Sequence, residues 1–276
     1  MIASFLGGLR IINQALLLSF CLAVSGVQAA TVAGQVEWVE GEVKIVDAEG
    51  NTRLPQVGDK IFEGDLLHSG RQGELHLRMQ DEGLIALREN TQLKIETYQA
   101  TGVDSDSAVL SLLKGTFRSI TGWIGKLNRK NYKVQTLNAT LGIRGTDHEP
   151  LYVPESDALE HETNPPGTYD KVNSGGTVIE SAFGVIEVAP DQVGYAPLRG
   201  APRLLPKAPV IYLRGKQERR IEERKEGLQR NIDEKIQNRR KNSANGAGEA
   251  RDGGSPPDIK NHRERRPPRP PPPPKP

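Results

Sequence analysis

The chain has 276 residues, with 37 Lys or Arg, 35 Asp or Glu, and a single cysteine, Cys21. One thiol excludes a disulfide framework and a sulfur-ligated metal centre. The near-neutral total hides a division, because residues 31–213 hold 18 basic against 25 acidic side chains, net −7, while 214–241 and 242–276 carry +5 and +3. An acidic globular part therefore precedes a basic extension, where electrostatic partners are expected.

Arg10, the apolar run from Ile11 to Val24 and the small-residue site Val27-Gln28-Ala29 predict a secretory signal peptide over residues 1–29. The run is short for a bilayer span of about 20 residues, and Ser25 and Gln28 close it, so cleavage is predicted over anchoring. Leu18-Ser19-Phe20-Cys21 resembles a lipoprotein box, but Phe20 stands where a small residue is needed, so lipidation is the minor alternative. The predicted mature chain is periplasmic or secreted, without a thiol or a transmembrane segment.

Gln35 to Val46 alternates apolar and polar residues on both sides of Glu40-Gly41, which reads as a hairpin or a pair of consecutive strands. Val57-Gly58-Asp59 and Glu63-Gly64-Asp65 repeat a corner, glycine supplying positive φ and aspartate a bond to its own backbone. These aspartates lack the dense acidic spacing of a calcium loop, so the corners read as structural. From Glu74 to Met79 the alternation places Leu75, Leu77 and Met79 inside and Glu74, His76 and Arg78 in solvent. His68, His148 and His161 have no second histidine at zinc-ligand spacing.

Leu84–Leu87 and Thr91–Tyr98 are further strands, and Ser107–Leu113 with Thr116–Ile120 reads as a hairpin centred on Gly115. Gly122, Gly125, Gly142 and Gly145 punctuate the next stretch as strands joined by tight turns. Pro150, Pro154, Pro165 and Pro166 among Glu155, Asp157, Glu160 and Glu162 suggest a mobile acidic loop. Three strands between Gly167 and Val188 then finish an all-β domain, residues 31–197.

A Pro-rich linker, 198–211, leads to helix formers at 212–241, with Ile221, Leu228, Ile232 and Ile236 as a narrow apolar stripe. This predicts a charged helix docking weakly on the domain, with a partner or membrane-surface helix as the alternative. Gly227 and the lack of aromatics argue against membrane insertion. Residues 242–276, rich in Gly, Arg and Pro, predict a disordered tail with polyproline II character, suited to an anionic envelope surface or an aromatic groove. Export, and a tail without interleaved aromatics, speak against nucleic acid.

Leu112-Leu113-Lys114-Gly115-Thr116-Phe117-Arg118 and Ala139-Thr140-Leu141-Gly142-Ile143-Arg144-Gly145-Thr146-Asp147, set beside the two Gly-Asp corners, resemble the FecR domain family over roughly Val36 to Ala196. The motif positions are Gly58, Asp59, Gly64, Asp65, Leu113, Gly115, Arg118, Thr140, Gly142, Arg144, Gly145, Thr146 and Asp147, all read as structural. The resemblance implies a β-sandwich of jelly-roll type. The family's namesake spans the inner membrane, hears an outer-membrane transporter and controls a sigma factor through a cytoplasmic N-terminal segment. Here only a signal peptide precedes the domain, which puts direct sigma control in doubt. The family's Pro-Gly-Gln turn reads Pro190-Asp191-Gln192, which the left-handed region accommodates.

Within the motif, Arg144 and Asp147 are expected to form an ion pair that fixes the Gly145 turn. Asp59 with Asp65, and Asp147 with His148, are the pairs a carbohydrate-active or other hydrolytic enzyme would have to use, and turn aspartates rarely provide the defined separation such work needs. The expected function is a non-enzymatic exported binding or scaffold module, without cofactor or metal, engaging an envelope protein or ligand. Envelope signal transduction linked to TonB-dependent transport is the alternative.

Overall fold

The computed structural model describes residues 30–157, 164–209, 212 and 216–252. The predicted signal peptide, the middle of the acidic loop and the end of the Pro-rich tail lie outside the described residues. The strands are β1 (Val32–Glu40), β2 (Val43–Val46), β3 (Thr52–Arg53), β4 (Lys60–Phe62), β5 (Leu66–Ser69), β6 (Glu74–Met79), β7 (Leu84–Leu87), β8 (Thr91–Gln99), β9 (Ser107–Ile120), β10 (Tyr132–Gln135), β11 (Ala139–Ile143), β12 (Asp147–Val153), β13 (Gly167–Ser174), β14 (Thr177–Ser181), β15 (Gly184–Val188), β16 (Val193–Pro197) and β17 (Arg203–Leu204). A short helix, α1 (Trp123–Leu127), interrupts them, and a long one, α2 (Lys216–Asp252), follows them.

The strands form an open system of two halves. The front half runs β4-β1-β6-β7-β9-β12-β13-β16-β17, all antiparallel. The back half runs β3-β2-β5-β8-β9-β10-β11-β14-β15, antiparallel except for the parallel pair β9–β10. Buried side chains of both halves, among them Leu67, Leu75, Leu77, Leu93, Ile95, Leu110, Phe117 and Leu141, make the core. Each such side chain contributes roughly 1.5–3 kcal/mol by leaving water.

Strand β9 belongs to both halves. Its first part pairs with β8 and β10, and from Gly115 onward it pairs with β7 and β12. The predicted hairpin at Gly115 is therefore one continuous strand, and the glycine, at φ 82°, is where the strand changes partners. A β-carbon there would sit 2.7 Å from the Asn90 carbonyl oxygen, so the neighbouring backbone also demands glycine.

Three other expectations change. Gly122 and Gly125 flank and enter α1 rather than strand turns, and the Trp123 amide donates to Asp81 O at 3.1 Å. Pro150 lies inside β12, opposite Asp170 of β13, so the acidic loop begins only after Val153. Helix α2 continues through residues 242–252, which the sequence assigns to a disordered tail. The chain divides into two compact units, Met1–Lys235 and Ile236–Pro276. The first part of α2 thus shares a unit with the strands.

Gly115→Ala should lower the urea-unfolding free energy by about 2–4 kcal/mol, through forced positive φ and overpacking. Gly50, at φ 88° with open space around it, is the control, and Gly50→Ala should cost only about 1–2 kcal/mol. Equal costs would remove the close approach at Gly115 from the explanation.

Candidate functional site

Arg118 on β9 and Asp147 and Glu149 on β12 are almost wholly buried on the outward side of the front half, where solvent is the ordinary neighbour. The first part of α2 covers them. Along this helix Glu218, Ile221, Glu222, Lys225 and Leu228 recur at spacings of three, one, three and three and so share one face. Ile221 and Leu228 pack on Leu84, Ala86 and Ile120 of β7 and β9. The polar members of the face meet the strand charges.

Arg118 donates from Nε and Nη2 to the two oxygens of Asp147 at 2.8 and 2.6 Å, a bidentate pair. It also donates from Nη1 to Glu218 Oε2 at 2.8 Å and from Nη2 to Glu222 Oε1 at 2.6 Å. Arg88 donates to Glu149 at 2.5 Å and also to Glu218, so Glu218 joins the two arginines. Lys171 and Asn173 on β13 reach Glu149 at 2.8 and 3.0 Å. Lys225 brings its ammonium within 2.6 Å of Asp147. Arg88, Arg118, Lys171 and Lys225 thus meet Asp147, Glu149, Glu218 and Glu222, charge against equal charge.

Burial opposes ionisation of Asp147, but the Arg118 guanidinium and the Lys225 ammonium outweigh it and hold the carboxyl at about 2. Glu149 is likewise held low against its burial, chiefly by Arg88 and Lys171. Burial would lower Arg118, yet Asp147, Glu222 and Glu218 raise it. All three groups are therefore charged at neutral pH.

Beside this seam, Arg220 stacks its guanidinium 4.2 Å from the Trp38 ring and donates to Glu74 at 2.8 Å, and Arg224 pairs with Glu37. His76 is fully buried, its Nε2 2.7 Å from Glu74 Oε1, and is not the surface histidine the strand alternation predicts. Alternation shows which side of a strand a residue takes, and this outward side is covered.

The expected Arg144–Asp147 ion pair does not form. Gly145, at φ 66°, carries the chain from β11 in the back half to β12 in the front half. Arg144 pairs with exposed Glu187 at 2.9 Å, and Asp147 turns to Arg118. Asp147 and His148 are strand neighbours and point to opposite sides. His148 is instead 2.8 Å from Asp170, both fully buried, so the hydrolytic pair does not converge.

The two Gly-Asp corners share one geometry. Gly58 and Gly64 take φ 96° and 88°, and Asp59 and Asp65 each accept the amide three residues back, Gln56 at 2.8 Å and Phe62 at 2.9 Å. Asp65 also pairs with Arg53 at 2.5 Å. Thr146 donates its amide to Thr121 Oγ1 at 2.9 Å. Leu113, Thr140 and Gly142 lie on the outward side of the back half, away from the seam. Among the described residues no cluster of three or more His, Cys, Asp or Glu side chains is arranged to hold a metal, and no helix is long and apolar enough to cross a membrane.

Residues 65–160 match the family model described as FecR protein. Over these residues the chain is similar to FecR proteins. The match is narrower than the span from Val36 to Ala196 that the motifs suggest, but it holds Arg88, Arg118, Asp147 and Glu149. The FecR match thus provides most of the floor of the seam, while the helix that covers it lies outside the match. Two crystal structures of a candidate anti-sigma factor from Parabacteroides distasonis ATCC 8503 are each 10% identical, cover 51% of this chain and 58% of their own, and give a TM-score of 0.39. A cell surface anchoring domain is 21% identical over 22% of this chain and 82% of its own, at a TM-score of 0.22. Likenesses of this size bear on neither fold nor function. No curated protein matches the sequence.

Sequence reasoning finds Arg118 and Asp147 through the motif but misses Arg88, Glu149, Lys171 and the whole helix face. The one available signal was Glu218 and Glu222 four residues apart, with Ile221 between them, on a predicted helix.

Arg118→Met should destabilise the protein by about 3–5 kcal/mol in urea unfolding, because it leaves Asp147 and Glu218 buried with too few partners. The folded Asp147 carboxyl, at about 2, lies below the unfolded value of about 3.9, so its stabilisation, roughly 2.5 kcal/mol, is present above pH 4 and lost as pH falls through 2. Asp147→Asn should flatten that part of the stability-versus-pH curve. An unchanged acid limb would mean the carboxyl is not held low.

Proposed function

We propose that this chain is a non-enzymatic, exported module of the FecR type that receives a helix in the groove of its front half and so takes part in envelope signalling. The observation that carries this reading is the charge of the groove. Without α2 the strands present Arg88, Arg118 and Lys171 against Asp147 and Glu149 at the seam, a local surplus of positive charge, with the carboxylates of Glu37, Glu40 and Glu74 along its edge. An occupant must bring carboxylates to the seam and cations to its edge, and α2 brings Glu218 and Glu222 one turn apart with Ile221 between them, and Arg220 and Arg224 beside them. A partner helix of the same acidic and apolar pattern would compete for the place.

Export is supported by the sequence from Arg10 to Ala29, and a regulatory role by the FecR match. Successive strands pass repeatedly between the two halves, as at β1 to β2, β4 to β5, β5 to β6 and β7 to β8, which supports a sandwich of jelly-roll type. The basic residues beyond Asp252 are suited to an anionic envelope surface.

The test is chemical cross-linking of the full-length chain in envelope extracts. Glu218→Arg with Glu222→Arg should loosen α2 and raise recovery of one specific partner several-fold, and adding Arg118→Glu in the groove should abolish that gain. Recovery indifferent to both changes would sink the proposal.

A further inference from the structure

The two outward sides of the strand system differ. The front one lies under α2, whereas the back one, over β10, β11 and β14, holds an open depression of about 1310 Å³. Its cations are Arg129, Lys130, Lys133 and Arg144, the last already paired with Glu187 at the rim, against the single lining carboxylate of Glu180. This occurs in a part of the chain whose net charge is −7. The cations are thus gathered against the average, although composition alone assigned electrostatic partners to the C-terminal extension.

The floor is shaped as well as charged. Register places Lys133, Gly142 and Val178 in one row across three strands, and Gln135, Thr140 and Glu180 in the next. Gly142 leaves the middle of the first row bare, since a β-carbon there would meet only Val178, at 3.9 Å. Among the described residues the side chains of Arg129, Lys130, Lys133, Gln135 and Thr140 make no hydrogen bond or ion pair. Leu137, 86% exposed, and Phe183, 53% exposed, add apolar surface to the lining.

We propose that this depression binds a linear acidic polysaccharide, a chain of sugars bearing carboxylates. The cations meet the carboxylates, Gln135 and Thr140 supply the amide and hydroxyl groups that sugar hydroxyls need, and Leu137 and Phe183 cover the C–H faces of the rings. A polyphosphate would use the cations and leave the other groups idle. Three strands at about 4.8 Å spacing make the floor roughly 10 Å across, a width for one extended chain. The site uses neither α2 nor the groove beneath it, so it stands or falls apart from the proposed function.

The probe is polygalacturonate, with dextran as the neutral control and polyphosphate as the competing anion, each titrated into the full-length chain at low salt. Polygalacturonate should bind and dextran should not, with affinity falling as salt rises. Lys130→Glu with Lys133→Glu should weaken it about tenfold or more. Gly142→Leu fills the floor without changing charge and should weaken it comparably while the thermal midpoint stays the same. Gln135→Ala with Thr140→Val should weaken polygalacturonate and leave polyphosphate unaffected. Replacing Arg265, Arg266 and Arg269 of the tail by Ser should leave polygalacturonate binding intact. Absence of binding, binding lost only with the tail arginines, or polyphosphate binding with the same dependence on Gln135, Thr140 and Gly142 would overturn the assignment.

Discussion

Taking the guanidinium of Arg118 out of water is tolerable only because carboxylates from two distant parts of the chain surround it. An isolated buried charge costs several kcal/mol even after relaxation, and mutual attraction offsets that cost only with good geometry and filled hydrogen-bonding positions. Asp147 supplies the bidentate partner from β12, while Glu218 and Glu222 supply the others from α2, about a hundred residues along the chain. The strand pair and the helix are therefore solutions to one electrostatic problem. Arg88 repeats it nearby, and Glu218 serves both arginines.

Such an arrangement gives register more than net stability. Register is held by apolar and charged contacts together, because a slide of one turn would bring Gln217 or Lys225 to the place of Ile221 among Leu84, Ala86 and Ile120. In one direction Glu222 and Glu226 would replace Glu218 and Glu222 at the arginines while Lys225 was forced onto apolar surface; in the other Glu218 would take the place of Glu222 and its own place would lose its carboxylate. The same logic makes the groove selective toward any other helix. An occupant without two carboxylates one turn apart would leave Arg118 with Asp147 and Arg88 with Glu149 as their remaining carboxylate partners.

The motif glycines, the two corners and the alternating strands are legible in the sequence because each is a local consequence of backbone sterics or side-chain period. What the sequence hides is non-local. His76 alternates as an outward residue, and nothing within β6 tells that Arg220 and Trp38 cover that side. Arg144 and Asp147 are three residues apart, yet the Gly145 turn sends them to opposite halves, and the true partner of Asp147 lies 29 residues earlier. The hairpin reading of Gly115 fails for a related reason: positive φ marks a change of direction but does not say whether the chain turns back or changes partners. The back depression was invisible because its cations are scattered from residue 129 to 144 within an acidic domain and are gathered only by strand pairing.

The central claim is that Arg118 and α2 are energetically coupled. A double-mutant cycle in the full-length chain, with Arg118→Met, Glu218→Gln and both together, measures this through urea unfolding. The account predicts a coupling energy above about 1.5 kcal/mol, as for close pairs shielded from water. A coupling near zero would mean that the helix lies on the strands without depending on their buried arginine, and would contradict the account.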